Sequence, residues 1–303
     1  MRSSDTVANG VMGRPSPYAL LELLKPITWF PPMWAFVCGA VSVGANIIDN
    51  LGLLLAGIAL TGPLVCGASQ IVNDWYDREV DAINEPNRPI PSGRVPGKIG
   101  LYFATLWSLL GLAWGASFGP WVFIATFCGL LLAWAYSAPP FRFKANGWVG
   151  NTAVGISYEG LAWITGAALM LEGQLPSTSV MIIALLYSLG AHGIMTLNDF
   201  KSIDGDRQMG IRSLPAQLGA DKAAKLACLV MLIPQLGVLA LLVVWQSQWQ
   251  AITVAALISG QIVAMRHMLA APKERAPWYN ATGVTAYVAG MMITASALPG
   301  ANF

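Results

Sequence analysis

Apolar residues run through this chain in long stretches that short polar segments separate. A helix needs about 20 mainly apolar residues to cross the hydrocarbon core of a bilayer, and stretches of about this length recur over most of the chain. The pattern predicts an all-α integral membrane protein with nine transmembrane helices. The predicted spans cover residues 27–48, 51–72, 99–117, 120–137, 149–170, 177–197, 223–245, 248–266 and 280–298.

The polar start of the chain predicts a different kind of segment. Residues 1–19 are expected to form a cytoplasmic N-terminal tail, and residues 20–303 a single transmembrane domain. The tail lacks the basic, apolar and cleavage regions of a removed signal peptide, so the first span is expected to remain in the mature protein.

Composition agrees with a membrane protein. The chain of 303 residues is 55% hydrophobic and only 11% charged, whereas soluble domains carry about 25% charged residues. Because basic residues accumulate on the cytoplasmic side of membrane proteins, placing the N-terminus in the cytoplasm puts all 17 Lys and Arg residues on that side. The opposite loops hold only Asp49 and Glu172 as charged groups. The net charge of +2 therefore reports topology, and no nucleic-acid partner is expected.

One polar motif occurs twice. The sequence NDWYDREVD at 73–81 is echoed by NDFKSIDGD at 198–206, with RPIPSG after the first copy and RSLPAQLG after the second. Four predicted spans separate the copies, so both emerge on the same face of the membrane. The pattern predicts an approximate parallel internal repeat, unlike the inverted repeats of many transporters. The full copies cover residues 73–94 and 198–219.

The acids of the repeat indicate a cation. Asp74, Asp77 and Asp81 share one helix face and repel each other unless a cation lies among them. Two oxygen-rich clusters suit a hard cation such as Mg²⁺, which prefers a few carboxylates together with phosphate oxygens. The alternative is that these are solvated loop acids. The candidate ligands are Asn73, Asp74, Asp77 and Asp81 in the first copy, and Asn198, Asp199, Asp204 and Asp206 in the second.

Basic residues near the two motifs suggest a phosphate ester, held partly through metal and partly by Lys and Arg directly. Each of them could equally be a topology signal. Those in the loops are Arg78, Arg88, Arg94, Lys98, Arg142, Lys144, Lys201, Arg207 and Arg212.

Two further polar residues lie inside predicted spans. A charged Glu159 would cost about 2.5–3.5 kcal/mol at the centre of a bilayer, so it is expected to be protonated, paired or facing a cavity. His192, a lone histidine among Ala, Gly and Leu, is typical of an interhelical hydrogen-bonding group.

The two motifs resemble those of the UbiA superfamily of intramembrane prenyltransferases, and the likeness covers nearly the whole chain from Leu20. Within the superfamily, NDFKSIDGD, AYSAPPFRFKANGWVGN and LLKPITWFPPMWAF are similar to the chlorophyll and bacteriochlorophyll synthases, and ISYEGLAWITGA is more similar to the bacteriochlorophyll branch. The second motif has Ser202 where a stricter pattern has Asp, which leaves Asp204 and Asp206 as the favoured metal ligands there.

The resemblance implies a UbiA-like bundle and a reaction. A C20 prenyl group, geranylgeranyl or phytyl, would pass from its diphosphate to the C17 propionate of bacteriochlorophyllide a, with Mg²⁺ as cofactor. The two Asp clusters would form the catalytic metal site, and Glu159 would belong to the acceptor pocket. The implied location is the bacterial inner (intracytoplasmic) membrane, with the active site facing the cytoplasm. The residues favoured for the diphosphate are Arg88, Arg142, Lys144, Lys201 and Arg207.

Three other functions remain open. The chain could be a chlorophyll synthase, or another member of the superfamily that prenylates a quinone precursor or haem. It could also transport a divalent cation or a phosphate compound, although such proteins usually carry charged groups through the midplane. A pigment carrier would explain a tetrapyrrole pocket but not two metal clusters.

Overall fold

The computed structural model describes residues 14–300, which form helices connected by short turns. We number the α-helices in chain order. They are α1 Pro17–Leu24, α2 Phe30–Ser42, α3 Leu51–Ala59, α4 Gly67–Asn84, α5 Ile99–Ala116, α6 Pro120–Ser137, α7 Gly147–Gly155, α8 Ala162–Met170, α9 Thr178–Asn198, α10 Ile203–Gln208, α11 Leu214–Leu218, α12 Ala220–Val244, α13 Gln248–Leu269 and α14 Pro272–Ala295. Four short 3₁₀ turns lie at Pro26–Thr28, Phe143–Ala145, Asp199–Ser202 and Leu298–Gly300. In this part of the chain, β-pairing is limited to one isolated bridge between Asn146 and Arg212.

Two π-helical segments join pairs of these helices into longer rods. Leu60–Cys66 connects α3 to α4, and Ile156–Leu161 connects α7 to α8. The first contains Pro63, which has no backbone N–H and so removes one helical hydrogen bond. Wider turns of this kind inside α-helices are frequently found at functional sites.

The prediction of an all-α, multi-pass membrane protein is confirmed. Among residues 14–300, six helical segments are long and apolar enough to cross a membrane, while the count of nine spans stays a prediction. The six segments are Leu51–Asn84, Ile99–Ala116, Pro120–Ser137, Thr178–Gln208, Ala220–Val244 and Gln248–Leu269. The first predicted span is represented by the shorter α2.

The predicted N-terminal tail lies mostly outside the described residues. The part of the tail outside them is residues 1–13, which include Arg2, one of the basic residues predicted to face the cytoplasm. They also include the segment that lacks the features of a signal peptide. Helix α1 begins inside the predicted tail, at Pro17, where the Ser16 hydroxyl accepts a hydrogen bond from the Ala19 N–H at 3.2 Å. The chain then breaks at Lys25, whose φ of 45° is left-handed. This break turns the Lys25 side chain toward α4.

Helices α2 and α8 pack closely against each other on one side of the bundle. A Cβ atom at Gly39 would lie 2.0 Å from the Trp163 carbonyl oxygen, and one at Gly166 would lie 2.0 Å from the Phe36 carbonyl oxygen. Small residues allow such contact between helix backbones in membranes. Trp163 is fully buried beside this crossing, where its ring stacks on Tyr187 with centroids 5.7 Å apart.

Candidate active site

The first motif lies on the last turns of α4, where its acids are paired with cations. Asp74 and Asp81 are buried. The Lys25 ammonium donates to Asp74 Oδ1 at 2.6 Å, and the Arg88 guanidinium donates to Asp81 Oδ2 at 2.8 Å. Arg88 also lies 3.6 Å from Asp74 Oδ1. Asp77 is paired to Lys144 at 2.5 Å. The three acids on this face of α4 are therefore paired with three cations.

Burial and the neighbouring carboxylates change the pKa values of two basic groups, Arg88 and Lys144. Burial alone would lower the pKa of Arg88, but the neighbouring Asp74 and Asp81 carboxylates outweigh it and the pKa is raised. Burial lowers the pKa of the Lys144 ammonium, and the charge of Asp77 opposes this shift. Arg88 therefore remains a cation at neutral pH.

The second motif has a different local structure. Helix α9 ends at Asn198, and a 3₁₀ turn carries the chain into α10. Asp206 is buried and accepts hydrogen bonds from the Ser202 hydroxyl at 3.0 Å and the Ser213 hydroxyl at 2.6 Å. Asp199 accepts from the Asn151 amide at 3.3 Å. Asp204 points outward, with an exposed side chain paired to Lys273 at 3.1 Å.

A single stretch of chain touches both motifs. Lys144 in the 3₁₀ turn after α6 pairs with Asp77, and Asn151 on α7 donates to Asp199. The same stretch is hydrogen-bonded to the loop after α10, since the Gly147 N–H donates to the Arg212 carbonyl at 2.8 Å. The two motifs therefore lie at one end of the bundle, connected through this stretch.

A cavity of about 530 Å³ opens between the motifs, within the usual range of about 300–1,000 Å³ for small-molecule sites. Its polar end is lined by residues of both motifs, including Asn73, Asn198, Asp199, Lys201 and Ser202. Farther from the motifs, along the two π-helical segments, α6 and α8, the lining becomes mainly apolar. The apolar lining residues include Leu60, Val65, Ala125, Gly129, Leu132, Leu161 and Ala162. The cavity suits a ligand with an anionic head and a long apolar tail.

The two π-helical segments form walls of this cavity and contact each other across it. The Tyr158 hydroxyl lies 3.3 Å from Cys66 Sγ, and the Gln70 amide donates to the same hydroxyl at 3.2 Å. Glu159 lines the cavity and is buried. Among the described residues it has no ion pair, and no side chain is bonded to its carboxyl group, which leaves that group available to a ligand.

The structure separates the predicted residues into two sets. The first set lies at the polar end of the cavity or beside it. Asn73, Asn198, Asp199 and Lys201 line the cavity, and Asp77 and Asp206 are hydrogen-bonded to the lining residues Asn73 and Ser202. The adjoining ion pairs contribute Asp74, Asp81, Arg88 and Lys144, which do not line the cavity. Glu159 lines the same cavity. The second set, Arg142, Asp204 and Arg207, is exposed. The assignment of ligand roles within both sets stays a prediction.

Sequence reasoning missed several residues of the site. Lys25 lies 49 positions from Asp74 in the chain, and the sequence indicated it only as one of the cytoplasmic basic residues, within the stretch LLKPITWFPPMWAF. Asn151, which bonds Asp199, and Tyr136, which lines the cavity, are polar residues within or at the end of apolar spans. That position is a signal of functional placement that could have found them.

The carboxylates fit a hard cation. Within residues 14–300, Asp199 and Asp206 have no Lys, Arg or His in ion-pair contact, unlike the acids of the first motif. In addition, Asp74 Oδ2 is buried without a hydrogen-bond partner. No group of three His, Cys, Asp or Glu side chains in the described part of the chain could hold a metal by itself. Mg²⁺ suits such a site, because it usually takes one or two carboxylates and completes its shell with water and phosphate oxygens.

Comparison with known proteins supplies independent findings. Residues 24–293 match the model of the UbiA prenyltransferase family. The chain is 56% identical over 286 residues to the bacteriochlorophyll synthase 33 kDa chain of Cereibacter sphaeroides, covering 94% of each chain. It is 54% identical over 288 residues to the protein of the same name from Rhodobacter capsulatus, covering 94% of this chain and 95% of the relative.

A solved structure supports the fold. The UbiA homolog from Archaeoglobus fulgidus, bound to GPP and Mg²⁺, superposes with a TM-score of 0.66 at 17% identity. The match covers 92% of this chain and 99% of that one. At this identity the likeness concerns the fold alone.

Proposed function

Because this chain belongs to the UbiA prenyltransferase family, we propose that it esterifies the C17 propionate of bacteriochlorophyllide a with a C20 prenyl diphosphate, geranylgeranyl or phytyl. It is a prenyltransferase enzyme and a multi-pass membrane protein. The observation that carries the proposal is the convergence of the two Asp motifs on the mouth of one cavity whose depth is apolar. The names of the two bacterial relatives support the choice of acceptor.

The polar end of the cavity is the proposed site of the diphosphate. Lys201 lines the cavity there, and Lys144 and Arg88 lie on the Asp77 and Asp81 carboxylates, from which they can reach an incoming anion. We assign Asn73, Asp74, Asp77 and Asp81, with Asn198, Asp199 and Asp206, as the residues that would hold Mg²⁺. Asp204, which the sequence also suggested, is left out because its exposed side chain points outward to Lys273. The cation would supply charge stabilisation to the departing diphosphate.

The reaction follows from the charges of the two substrates. The propionate is already ionised at neutral pH, so no strong base is needed. One carboxylate oxygen forms a bond to C1 of the prenyl group while the bond from C1 to the bridging oxygen breaks, and the diphosphate departs with that electron pair. Apolar side chains such as Leu60, Val65 and Leu161 line the cavity. They exclude water, which would otherwise attack the allylic carbon and hydrolyse the prenyl diphosphate.

The location of the site is part of the same proposal. All Lys and Arg residues can be placed on one side of the membrane, and this side contains both motifs. Since basic loops face the cytoplasm, we assign the active site to the cytoplasmic face of the bacterial inner membrane. The single transmembrane domain of residues 20–303 would then carry the whole site.

Glu159 is proposed to hydrogen-bond the part of the acceptor that enters the cavity. It lies eight residues beyond Asn151, so a helical rise of about 1.5 Å per residue puts it roughly 12 Å below the second motif. Glu159→Gln is expected to raise the KM for bacteriochlorophyllide a roughly 3- to 10-fold, the value of about one hydrogen bond, with the KM for the prenyl diphosphate unchanged. Steady-state kinetics in both substrates measure this effect.

The matched control is Glu172→Gln, which changes an exposed glutamate in the turn between α8 and α9 and should leave both KM values unchanged. Wild-type kinetics in both substrates for Glu159→Gln would remove Glu159 from the acceptor site.

The proposed function is tested by a pigment-ester assay on membranes that contain this chain. Bacteriochlorophyllide a and geranylgeranyl diphosphate are supplied with and without Mg²⁺, and chlorophyllide a, haem and 4-hydroxybenzoate are offered as competing acceptors. We expect Mg²⁺-dependent formation of the bacteriochlorophyllide ester. Prenylation of another acceptor in place of this pigment would move the chain to a different branch of the family.

A further inference from the structure

A second, shallower groove adjoins the cavity on the outer side of α6 and α7. It has a volume of about 380 Å³ and a mainly apolar lining that includes Phe143, Trp148, Thr152 and Ile156. Leu132 and Ala153 line both the groove and the cavity. Its residues Thr152 and Ala153 directly follow Asn151, which bonds Asp199 of the second motif. The groove therefore lies at the level of the proposed diphosphate site.

Two of the groove residues hold the buried His192 of α9. The His192 ring packs on Trp148 with centroids 5.8 Å apart, and its Nδ1 lies 3.1 Å from Thr152 Oγ1. Thr152 donates its single hydroxyl proton to the Trp148 carbonyl oxygen at 2.8 Å. Its oxygen can therefore only accept from His192, so Nδ1 carries the imidazole proton.

This tautomer leaves a lone pair on His192 Nε2. The side chain is only 7% exposed, and Nε2 is buried without a hydrogen-bond partner. A buried polar atom left unpaired costs about 1–3 kcal/mol, which is a reason to look for a ligand. A neutral imidazole whose other nitrogen donates a hydrogen bond is the usual arrangement of a metal-binding histidine.

We propose that His192 Nε2 is the axial ligand of the magnesium at the centre of the pigment, whose macrocycle occupies the groove. The inference rests on the proposed function, because that function supplies a substrate with an open axial position on its metal. The flat, apolar macrocycle matches the aromatic groove, and its C17 side chain would point past Leu132 and Ala153, which line both spaces, toward the cavity. Trp148, whose side chain is 45% exposed, must turn aside to admit the ring to Nε2.

The test compares binding of bacteriochlorophyllide a with binding of its metal-free form, bacteriopheophorbide a, by fluorescence quenching in detergent. Wild-type protein is expected to bind the magnesium pigment at least about 10-fold more tightly, because losing even the hydrogen-bond partner of a metal-ligating residue usually costs about 10- to 100-fold in metal affinity. His192→Ala should lose this preference, and added imidazole should restore it. The Qx absorption band of the bound magnesium pigment should shift on this substitution, as expected for a changed axial ligand. The KM for the prenyl diphosphate should not change.

Three further variants distinguish metal ligation from a purely structural effect. Thr152→Val removes the acceptor that fixes the tautomer and should weaken the preference, whereas Thr152→Ser should keep it. His267, the other histidine of the chain, is exposed on α13, and His267→Ala should behave as wild type.

The outcomes separate the two proposals. If wild-type protein forms the ester but binds both pigments equally, or if His192→Ala keeps the preference for magnesium, the axial ligand is overturned and the proposed function stands. If wild-type protein binds neither pigment and forms no ester, the proposed function fails and the inference falls with it.

Discussion

Replacing Asp199 with asparagine is expected to lower the esterification rate about 10²- to 10³-fold, the usual effect of removing a group that stabilises developing charge. Asp199 lines the mouth of the cavity, and within residues 14–300 its carboxylate has no ion pair. Loss of its charge removes one of the two uncompensated acids of the second motif. The measurement is the initial rate at saturating concentrations of both substrates, repeated over a range of Mg²⁺ concentrations.

The folded structure should survive this change. The side chain of Asp199 has one hydrogen bond among the described residues, which it accepts from Asn151, and an asparagine oxygen can accept the same bond. Asp74→Asn is expected to destabilise the folded structure, because it leaves the Lys25 ammonium without its carboxylate partner. Breaking a buried ion pair costs about 3–5 kcal/mol. Asp49→Asn, in the exposed turn after α2, is the control. A wild-type rate for Asp199→Asn would contradict the assignment of the second motif.

Replacing Gly166 with valine is expected to prevent stable folding. A Cβ atom at this position would lie 2.0 Å from the Phe36 carbonyl oxygen and 3.0 Å from the Ala40 nitrogen, so α2 and α8 would have to separate. Overpacking of a tight contact costs about 1–3 kcal/mol or more, and here the obstacle is backbone. Because Thr165 of α8 and Pro32 of α2 line the cavity, its wall would be displaced as well. The measurement is the yield of monodisperse protein in detergent and its thermal unfolding.

The matched control is Gly260→Ala on α13, where an added Cβ atom meets nothing within 4 Å. This variant should fold at least as well as wild type, since alanine favours helix over glycine by about 1 kcal/mol. A Gly166→Val protein with wild-type yield and melting temperature would show that the two backbones do not meet closely in the membrane.

The fold could be predicted in outline because its strongest signal, long apolar stretches, is local. Helices α5, α6 and α13 match predicted spans within a few residues. The π-helical segments Leu60–Cys66 and Ile156–Leu161 could not be predicted, since they depend on packing: Gly155 and Gly160, for example, bring the second one against Ser188 of α9.

The site was predictable in the first motif and less so in the second. Helix α4 continues to Asn84, so the Asp residues through Asp81 share one helix face, as their spacing predicts. In the second copy, the 3₁₀ turn at Asp199–Ser202 has about 3.0 residues per turn and not 3.6. This change of phase places Asp206 inside and Asp204 outside, which sequence spacing alone could not show.

The contribution of Lys25 depends on a contact between distant parts of the chain. Helix α1 and the left-handed turn at Lys25 bring its ammonium group to Asp74, and no short-range pattern encodes that contact. The parts of the site that the sequence revealed are those in which residues close in the chain act together.

The central claim, that the pigment carboxylate attacks C1 of the prenyl diphosphate, is tested most directly by following one oxygen atom. Geranylgeranyl diphosphate labelled with ¹⁸O at the bridging position is incubated with bacteriochlorophyllide a, Mg²⁺ and the purified chain, and both products are examined by mass spectrometry. Our account predicts an unlabelled pigment ester and a released diphosphate that carries the ¹⁸O. An ester that retains the label would mean that the prenyl oxygen attacks an activated carboxyl group, and it would contradict the mechanism.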